Sequence, residues 1–252
     1  MRLALSALAV FAVLLAAWWA LSASLGLPAY ILPSPLQTAA AFAAQPAFIL
    51  DNAAVTALEM ALGFACGAGL GIACAHAMAA AAPVRMVLRP VLIASQAIPV
   101  FALAPLFVVW MGYGLAPKIA IATLVIFFPV AAAFADGLRR TPPDLAEAAR
   151  VMAGPGRAAR WRTLIHVTAP AALPALGTGL RVGAGVAAIA AVIGEWVGSS
   201  AGLGYVMLWA NGRSQIPLMF AALITLFALA IAFAELVDVV TRRMTPWIEE
   251  TP

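Results

Sequence analysis

A charged segment divides this chain: DGLRRTPPDLAEAARVMAGPGRAARWRTLIHVTAP, residues 136–170. It is the only long, highly charged stretch among 252 residues, of which 65% are hydrophobic and 10% are charged. Soluble domains are roughly half apolar and a quarter charged. This composition, together with a mean hydropathy of +1.04, excludes a water-soluble globule and predicts an integral membrane protein.

Six apolar runs flank this segment, separated by charges and by proline or glycine clusters. A helix that crosses a bilayer needs about 20 apolar residues, so the runs predict an all-α integral membrane protein with six transmembrane helices. The N-terminal run is longer than the apolar core of a signal peptide, which has about 7 to 15 residues, and we interpret it as a retained first span. The runs are Leu5–Leu25, Ala53–Ala80, Leu88–Trp110, Ile119–Asp136, Leu173–Gly194 and Pro217–Val239.

The basic residues predict the orientation. If the N-terminus is cytoplasmic, eleven arginines fall in inner segments, whereas the outer segments hold only Lys118 and Arg213. Cytoplasmic loops carry an excess of Lys and Arg, so both termini are predicted to be cytoplasmic. The same asymmetry explains the pI of 9.7 without a nucleic-acid partner. The inner arginines are Arg2, Arg85, Arg89, Arg139, Arg140, Arg150, Arg157, Arg160, Arg162, Arg242 and Arg243.

The sequence offers little support for catalysis. A P-loop ends in Gly-Lys-Ser/Thr, but the only lysine, Lys118, follows Pro117. No ATP site, cofactor or metal site is therefore predicted, and any ATPase has to be another polypeptide. The stretch GSSAG at residues 198–202 fits the Gly-x-Ser-x-Gly pattern of hydrolases, but the predicted topology separates Ser200 from both histidines.

Small residues recur at helical spacing in two of the runs. Gly63, Gly67 and Gly71 repeat every four residues, and Gly179 with Gly183 repeats this spacing later in the chain. Such stripes let helix backbones approach closely in lipid. They predict tight helix contacts, either within the chain or between two copies of it.

Polar and proline residues inside the apolar runs are candidates for a translocation path, because a charge in the membrane is costly and usually faces a cavity or a partner. Glu59 and Glu195 fall towards the outer side, whereas Arg181 lies near the inner end and can snorkel towards the cytoplasm. The alternative for each is an interhelical hydrogen bond or an interfacial position. The path candidates are Glu59, Gln96, Pro99, Arg181, Glu195 and Trp196.

A specific resemblance begins in the charged segment, with EAARVMAG at residues 147–154 and APAALPALGTGLRVG at residues 169–183. This pair resembles the EAA motif of permease subunits of binding-protein-dependent ABC importers. The order of LPSP, GFACGAGLG, IPVFALAPLFVVWMGYG, FFPV, the motif and GEWVGSSAGLGYVM is similar to the nitrate, sulfonate and taurine type. Residues 193–223, with ALEMALGF at residues 57–64, resemble the branch associated with pyrimidine precursors of thiamine, and more loosely with riboflavin.

The resemblance implies a type I importer permease fold in one domain, residues 1–252, with a cytoplasmic coupling segment at about residues 137–172. It also implies a location in the bacterial inner membrane, a homodimer, a separate solute-binding protein that is periplasmic or lipid-anchored, and a cytoplasmic ATPase that receives a coupling helix at about Glu147–Trp161. The residues that the resemblance assigns to ATPase coupling are Glu147, Ala148, Ala149, Arg150, Gly154, Arg160 and Trp161.

The motif departs from the family pattern at its glycine. Six residues after the motif glutamate this chain has Ala153, followed by Gly154, and Pro170 comes seventeen residues after Ala153. The family spacing is about four residues shorter. We therefore expect PGRAA, residues 155–159, to be a local insertion that lengthens the turn between two short inner helices.

The expected function is transport across the membrane by a subunit that is not itself an enzyme. Trp196, Trp209 and Asn211 near the outer mouth suit an aromatic heterocycle, through stacking and amide hydrogen bonds. A thiamine pyrimidine precursor is the expected cargo, and sulfonates, taurine and nitrate stay open. The alternatives from other classes are an ion-coupled secondary carrier, an intramembrane hydrolase and a structural scaffold. The carrier needs ionisable groups near the midplane, whereas the acids here cluster near the ends of the runs.

Overall fold

The computed structural model describes residues 2–24, 26 and 28–247, without the side chains of residues 2–8, 11, 96, 143, 150 and 157. Within these residues all regular structure is helical. The helices are α1 (Arg2–Ser24), α2 (Pro35–Ala44), α3 (Pro46–Ala80), α4 (Ala82–Ala97), α5 (Val100–Met111), α6 (Leu115–Arg139), α7 (Pro143–Ala153), α8 (Arg157–Thr163), a π-helical segment (Leu164–Thr168), α9 (Ala169–Ala171), α10 (Leu173–Trp196), α11 (Leu203–Gly212) and α12 (Ile216–Met244).

Five of the six predicted spans correspond to single helices. Helices α3, α6, α10 and α12 are each long and apolar enough to cross a bilayer, and the last 13 residues of α1, Ala12–Ser24, form a shorter apolar helix. The prediction of an all-α membrane protein is confirmed. Helix α3 begins at Pro46, seven residues before the predicted start of its span at Ala53.

The third predicted span, Leu88–Trp110, is divided between two helices rather than formed by one. Helices α4 and α5 are bent by 104° at the break between them. Proline disfavours helical backbone in the residue before it, and Ile98 before Pro99 has an extended ψ of 119°. The 12 residues of α5 reach only about 18 Å, less than the roughly 30 Å of the hydrocarbon core.

The chain separates into two compact units: Met1–Thr56 with Ser200–Ala228, and Ala57–Ser199 with Leu229–Pro252. In the first unit, the start of α3 caps the start of α11. The Asn52 side-chain oxygen accepts from the Gly202 N–H at 2.7 Å, and Thr56 Oγ1 accepts from the Leu203 N–H at 2.8 Å. These bonds satisfy backbone donors that a helix N-terminus leaves free.

In the second unit, α10 packs most extensively on α6, and α3 lies against α6 through its glycine stripe. A Cβ at Gly67 would lie 2.8 Å from the Cβ of Ile126, and one at Gly71 would lie 3.0 Å from the Ala131 nitrogen. On α10, a Cβ at Gly179 would lie 2.9 Å from the carbonyl oxygen of Pro129. Both glycine stripes therefore make contacts within the chain.

We expect Gly67→Ala to lower the free energy of unfolding by about 1–3 kcal/mol, because the added methyl group overpacks the contact with α6. Gly69→Ala is the matched control, because no described atom lies within 4 Å of its Cβ position. Alanine in a helix is favoured over glycine by up to about 1 kcal/mol, so the control should be neutral or stabilising. Thermal unfolding in detergent measures both, and equal melting temperatures would contradict the close packing of α3 on α6.

Candidate functional site

Helix α7, inside the charged segment, exposes an apolar and acidic face. At 100° per residue, Leu145, Glu147, Ala148, Val151 and Met152 share one side, and all five are exposed. Val151 is 84% exposed and Met152 is 89% exposed. We name these five residues the α7 surface. Large exposed apolar side chains beside a charge are typical of a protein interaction site.

Among the described side chains, the opposite side of α7 carries small residues. Ala146, Ala149 and Ala153 are half-buried, and α7 packs against α8 and the π-helical segment. Of the residues assigned to coupling, Glu147 and Ala148 thus lie on the exposed side, whereas Ala149 lies on the packed side. The side chain of Arg150 lies outside the described part of the structure.

The predicted coupling helix, Glu147–Trp161, is in fact two helices joined by a turn, which corrects the prediction. Helix α7 ends at Ala153 and α8 begins at Arg157. Gly154 has φ 77° and Gly156 has φ 112°, conformations that favour glycine because a Cβ would clash. The turn between the helices is the three residues Gly154–Gly156.

Helix α8 continues almost without a break into the apolar span α10. The Ala169 N–H donates to the Leu164 carbonyl, the i to i−5 bond of a π-helix. Pro170 follows in α9 and has no N–H to donate. On α8, Arg160 is exposed and Trp161 is 51% exposed. Helical segments therefore join α8 to the base of α10.

At the other end of α10, the second unit buries a cluster of charges, which we name the Lys118 cluster: Glu59, Lys118, Glu195 and Ser199. Lys118 Nζ donates to Glu59 Oε1 and to Ser199 Oγ, each at 2.6 Å. Both glutamates are 1% exposed. Glu59 Oε2 is buried without a hydrogen-bond partner among the described atoms.

The position of Lys118 in this cluster corrects the prediction that it lies in an outer segment. Helix α6 begins at Leu115 rather than Ile119, so Lys118 lies in its first turn and is 8% exposed. Gly194 allows α10 to approach, because a Cβ there would lie 3.1 Å from the Lys118 Cα. The sequence contained a signal for this pair: Lys118 and Glu195 each border an apolar run, Glu59 lies inside another, and charges within membranes usually pair.

Arg181 forms a separate group with α12. Its Nε lies 3.2 Å from Asp238 Oδ1 and donates to Thr241 Oγ1 at 3.2 Å. Asp238 also pairs with Arg242 at 2.7 Å. Arg181 and Glu195 are 14 residues apart on α10, about 21 Å, so the structure does not bring these two path candidates together.

The remaining path candidates have different surroundings. Pro99 is the exposed residue at the break before α5, and Trp196, the last residue of α10, is 42% exposed. The side chain of Gln96 lies outside the described part. In the first unit, Trp209 contacts Phe48 with ring centroids 5.7 Å apart, and the Arg213 guanidinium lies 4.2 Å from the centre of its ring.

Each histidine ring contacts the backbone of its own helix. His76 Nδ1 and His166 Nδ1 each lie 3.0 Å from a carbonyl oxygen of their own helical turn. No group of three or more His, Cys, Asp and Glu side chains that could hold a metal ion occurs in the part of the chain that the structure describes.

The sequence of this chain matches a known family. Residues 67–246 match the family described as binding-protein-dependent transport system inner membrane component. The chain belongs to this family. The permease is therefore a multi-pass inner-membrane protein with the type I importer permease fold, as the resemblance predicted. In ABC transporters of this kind the ATPase is a separate subunit, and a substrate-binding protein is a further partner.

Three relatives cover most of the permease. It is 44% identical over 221 residues to a probable ABC transporter permease protein of Haemophilus influenzae, covering 87% of this chain and 89% of the relative. It is 36% identical to a riboflavin transport system permease protein of Chloroflexus aurantiacus, covering 95% and 89%. It is 32% identical to a formylaminopyrimidine transport permease protein of Halalkalibacterium halodurans, covering 94% of each.

A solved structure shares the fold of the permease. The crystal structure of an amino acid ABC transporter with histidines contains a chain that superposes with a TM-score of 0.59, at 21% identity, covering 80% of the permease and 96% of that chain. This likeness supports the fold.

Proposed function

We propose that the permease forms the translocation path of an ATP-driven importer, as one half of a homodimer, and that the α7 surface docks on a separate cytoplasmic ATPase. Residues 1–252 act as one permease domain in this proposal. The exposure of Val151 and Met152, at 84% and 89%, carries the proposal. Two large apolar side chains facing water beside Glu147 are stabilised when a partner covers them.

The helix connections support a lever. ATP binding in the partner draws the two docked α7 surfaces together, and α8 transmits the displacement through the π-helical segment to α10. Just beyond the far end of α10, Ser199 accepts a hydrogen bond from Lys118 of α6, which also pairs with Glu59 of α3. Packed helices shift as rigid bodies between discrete arrangements. Movement at α8 therefore changes how far the translocation path between these spans is open. The permease supplies a gate and a lever, and the ATPase supplies the catalysis.

The substrate we propose is a small aromatic nitrogen heterocycle, such as a pyrimidine precursor of thiamine. Two relatives of the permease are named for heterocycles, riboflavin and formylaminopyrimidine. Trp196 keeps part of its ring exposed at the end of α10 and offers a surface on which a flat ring stacks. Trp209 is already covered by Phe48 and Arg213, which leaves Trp196 as the better stacking candidate of the two.

The charge reversal Glu147→Lys tests the docking. We expect about tenfold weaker association with the ATPase, ~1.4 kcal/mol, and a matching loss of ATP-dependent uptake. Glu147→Asp keeps the charge and is the control. Co-purification measures association, and uptake into vesicles that contain the whole transporter, offered aminopyrimidine, riboflavin and taurine in turn, measures transport.

Two results would contradict parts of this proposal. Uptake by the permease purified free of any ATPase would favour an ion-coupled carrier. Uptake of taurine without uptake of either heterocycle would reject the proposed substrate while leaving the ATPase docking in place.

A further inference from the structure

A large cavity opens on the arginine-rich face of the second unit. Its volume is about 1940 Å³, and its walls come from the end of α3, α4, the second half of α6, the turn between α7 and α8, α8 itself and the π-helical segment. Four arginines line it: Arg85, Arg89, Arg139 and Arg160. By the positive-inside distribution of the chain, this face is cytoplasmic.

The cavity carries an excess of positive charge. Its one acidic lining residue, Asp136, pairs with Arg140 at 2.7 Å. Among the described side chains, none of the four lining arginines forms an ion pair with a carboxylate. A cavity of this kind favours an anionic group, and guanidinium groups bind phosphate with paired hydrogen bonds.

Part of the cavity wall is apolar. Phe128, Leu92 and Met78 line it together with several alanines. On α6 the lining extends from Arg139 to Phe128, eleven residues, or about 16 Å along the helix. A ligand that fills the cavity therefore needs an anionic head and an apolar part about as long as one leaflet of the hydrocarbon core is thick, about 15 Å.

The position of α4 indicates where such a ligand comes from. Arg85 and Arg89 lie on α4 beside the exposed apolar side chains of Met86, Val87 and Val91. A helix with a basic and an apolar face lies at the surface of the membrane, where anionic lipids concentrate. A free phosphate ion would leave the apolar walls unfilled, and an acidic protein segment would place polar backbone against them.

We propose that this cavity binds an anionic phospholipid of the inner leaflet. The phosphate lies among Arg85, Arg89 and Arg139, and an acyl chain lies against α6 as far as Phe128. The proposal requires the membrane orientation of the chain but not the ATPase docking, so the two can fail independently.

Native mass spectrometry of the full-length permease, titrated with phosphatidylglycerol or phosphatidylcholine, tests the site. An arginine near the membrane surface contributes about 1 kcal/mol, roughly a fivefold change in affinity. Arg85→Gln with Arg89→Gln is therefore expected to weaken phosphatidylglycerol binding about 25-fold. The matched control is Arg162→Gln with Arg243→Gln, which removes two exposed arginines outside the cavity lining and should change the affinity less than twofold.

A second variant tests the acyl-chain part. Ala132→Phe narrows the apolar part of the cavity without changing its charge. The substitution should weaken phosphatidylglycerol binding at least fivefold. Soluble glycerol phosphate, which has no acyl chain, should compete poorly with the lipid. Three results would overturn the proposal. The two double arginine variants could lose the same amount of affinity for phosphatidylglycerol, the two lipids could bind equally well, or inorganic phosphate could displace the lipid. Thermal unfolding without added lipid shows whether each variant is folded, and a loss of binding counts only in folded protein.

Discussion

Lys118→Met is expected to destabilise the permease by about 3–5 kcal/mol. The substitution leaves the carboxylates of Glu59 and Glu195 buried in the protein without the ammonium group that Glu59 contacts at 2.6 Å. Removing one partner of a buried ion pair is strongly destabilising because it leaves an uncompensated charge. Thermal unfolding in detergent and the yield of monodisperse protein measure the effect.

The companion variants separate the ion pair from general sensitivity. Glu59→Gln should be neutral or stabilising, because the amide oxygen still accepts from Lys118 and the cluster then holds one buried acid, Glu195, for its one cation. Adding Glu59→Gln to Lys118→Met should recover at least half of the lost stability. Arg213→Met removes an exposed cation above Trp209 and should cost no more than about 1 kcal/mol. If Lys118→Met and Arg213→Met cost the same, the cluster does not hold the three helices together.

Met152→Asp is expected to weaken the association of the permease with its ATPase about thirtyfold, ~2 kcal/mol. Met152 is 89% exposed, so the change should alter the free energy of unfolding by less than about 0.5 kcal/mol. The aspartate places a charge in the middle of the apolar part of the α7 surface, where it would be desolvated on docking. Co-purification and the ATPase activity of the complex provide the measurements.

Met152→Leu, which keeps the apolar surface, should retain nearly all of the association. A complex that assembles and transports normally with aspartate at this position would show that α7 does not make the contact. A variant that fails to fold would contradict the exposure of the side chain.

Much of the fold follows from residue chemistry that acts locally. The long apolar runs around α3, α6, α10 and α12 predicted helices, because a bilayer requires every backbone donor and acceptor to be satisfied within the segment. The glycine stripe of α3 predicted a close contact, and α6 provides it. The sequence contained a signal for the break, Pro99. A single span was predicted because the apolar run around it has the right total length.

The candidate site was predictable only in part. The composition of the charged segment indicated that it belongs to the candidate site. Glu147 and Ala148, which lie in this segment, are on the exposed side of α7. The resemblance to the EAA motif assigned Ala149 to coupling with them, and a motif match alone does not show which side of a short helix packs against α8. The arginines of α4 were counted for orientation alone, since nothing in their spacing indicated that they share a cavity with Arg139.

The sequence by itself determined the membrane location, the helical class and the face rich in arginine, because these depend on hydropathy and charge summed along the chain. Only the tertiary structure decided which buried charges neutralise each other. Lys118 meets Glu59 across 59 positions and Ser199 across 81, and each of these contacts depends on helices that pack within a few ångströms. Coulomb energy between buried charges depends on that distance, which no local pattern records.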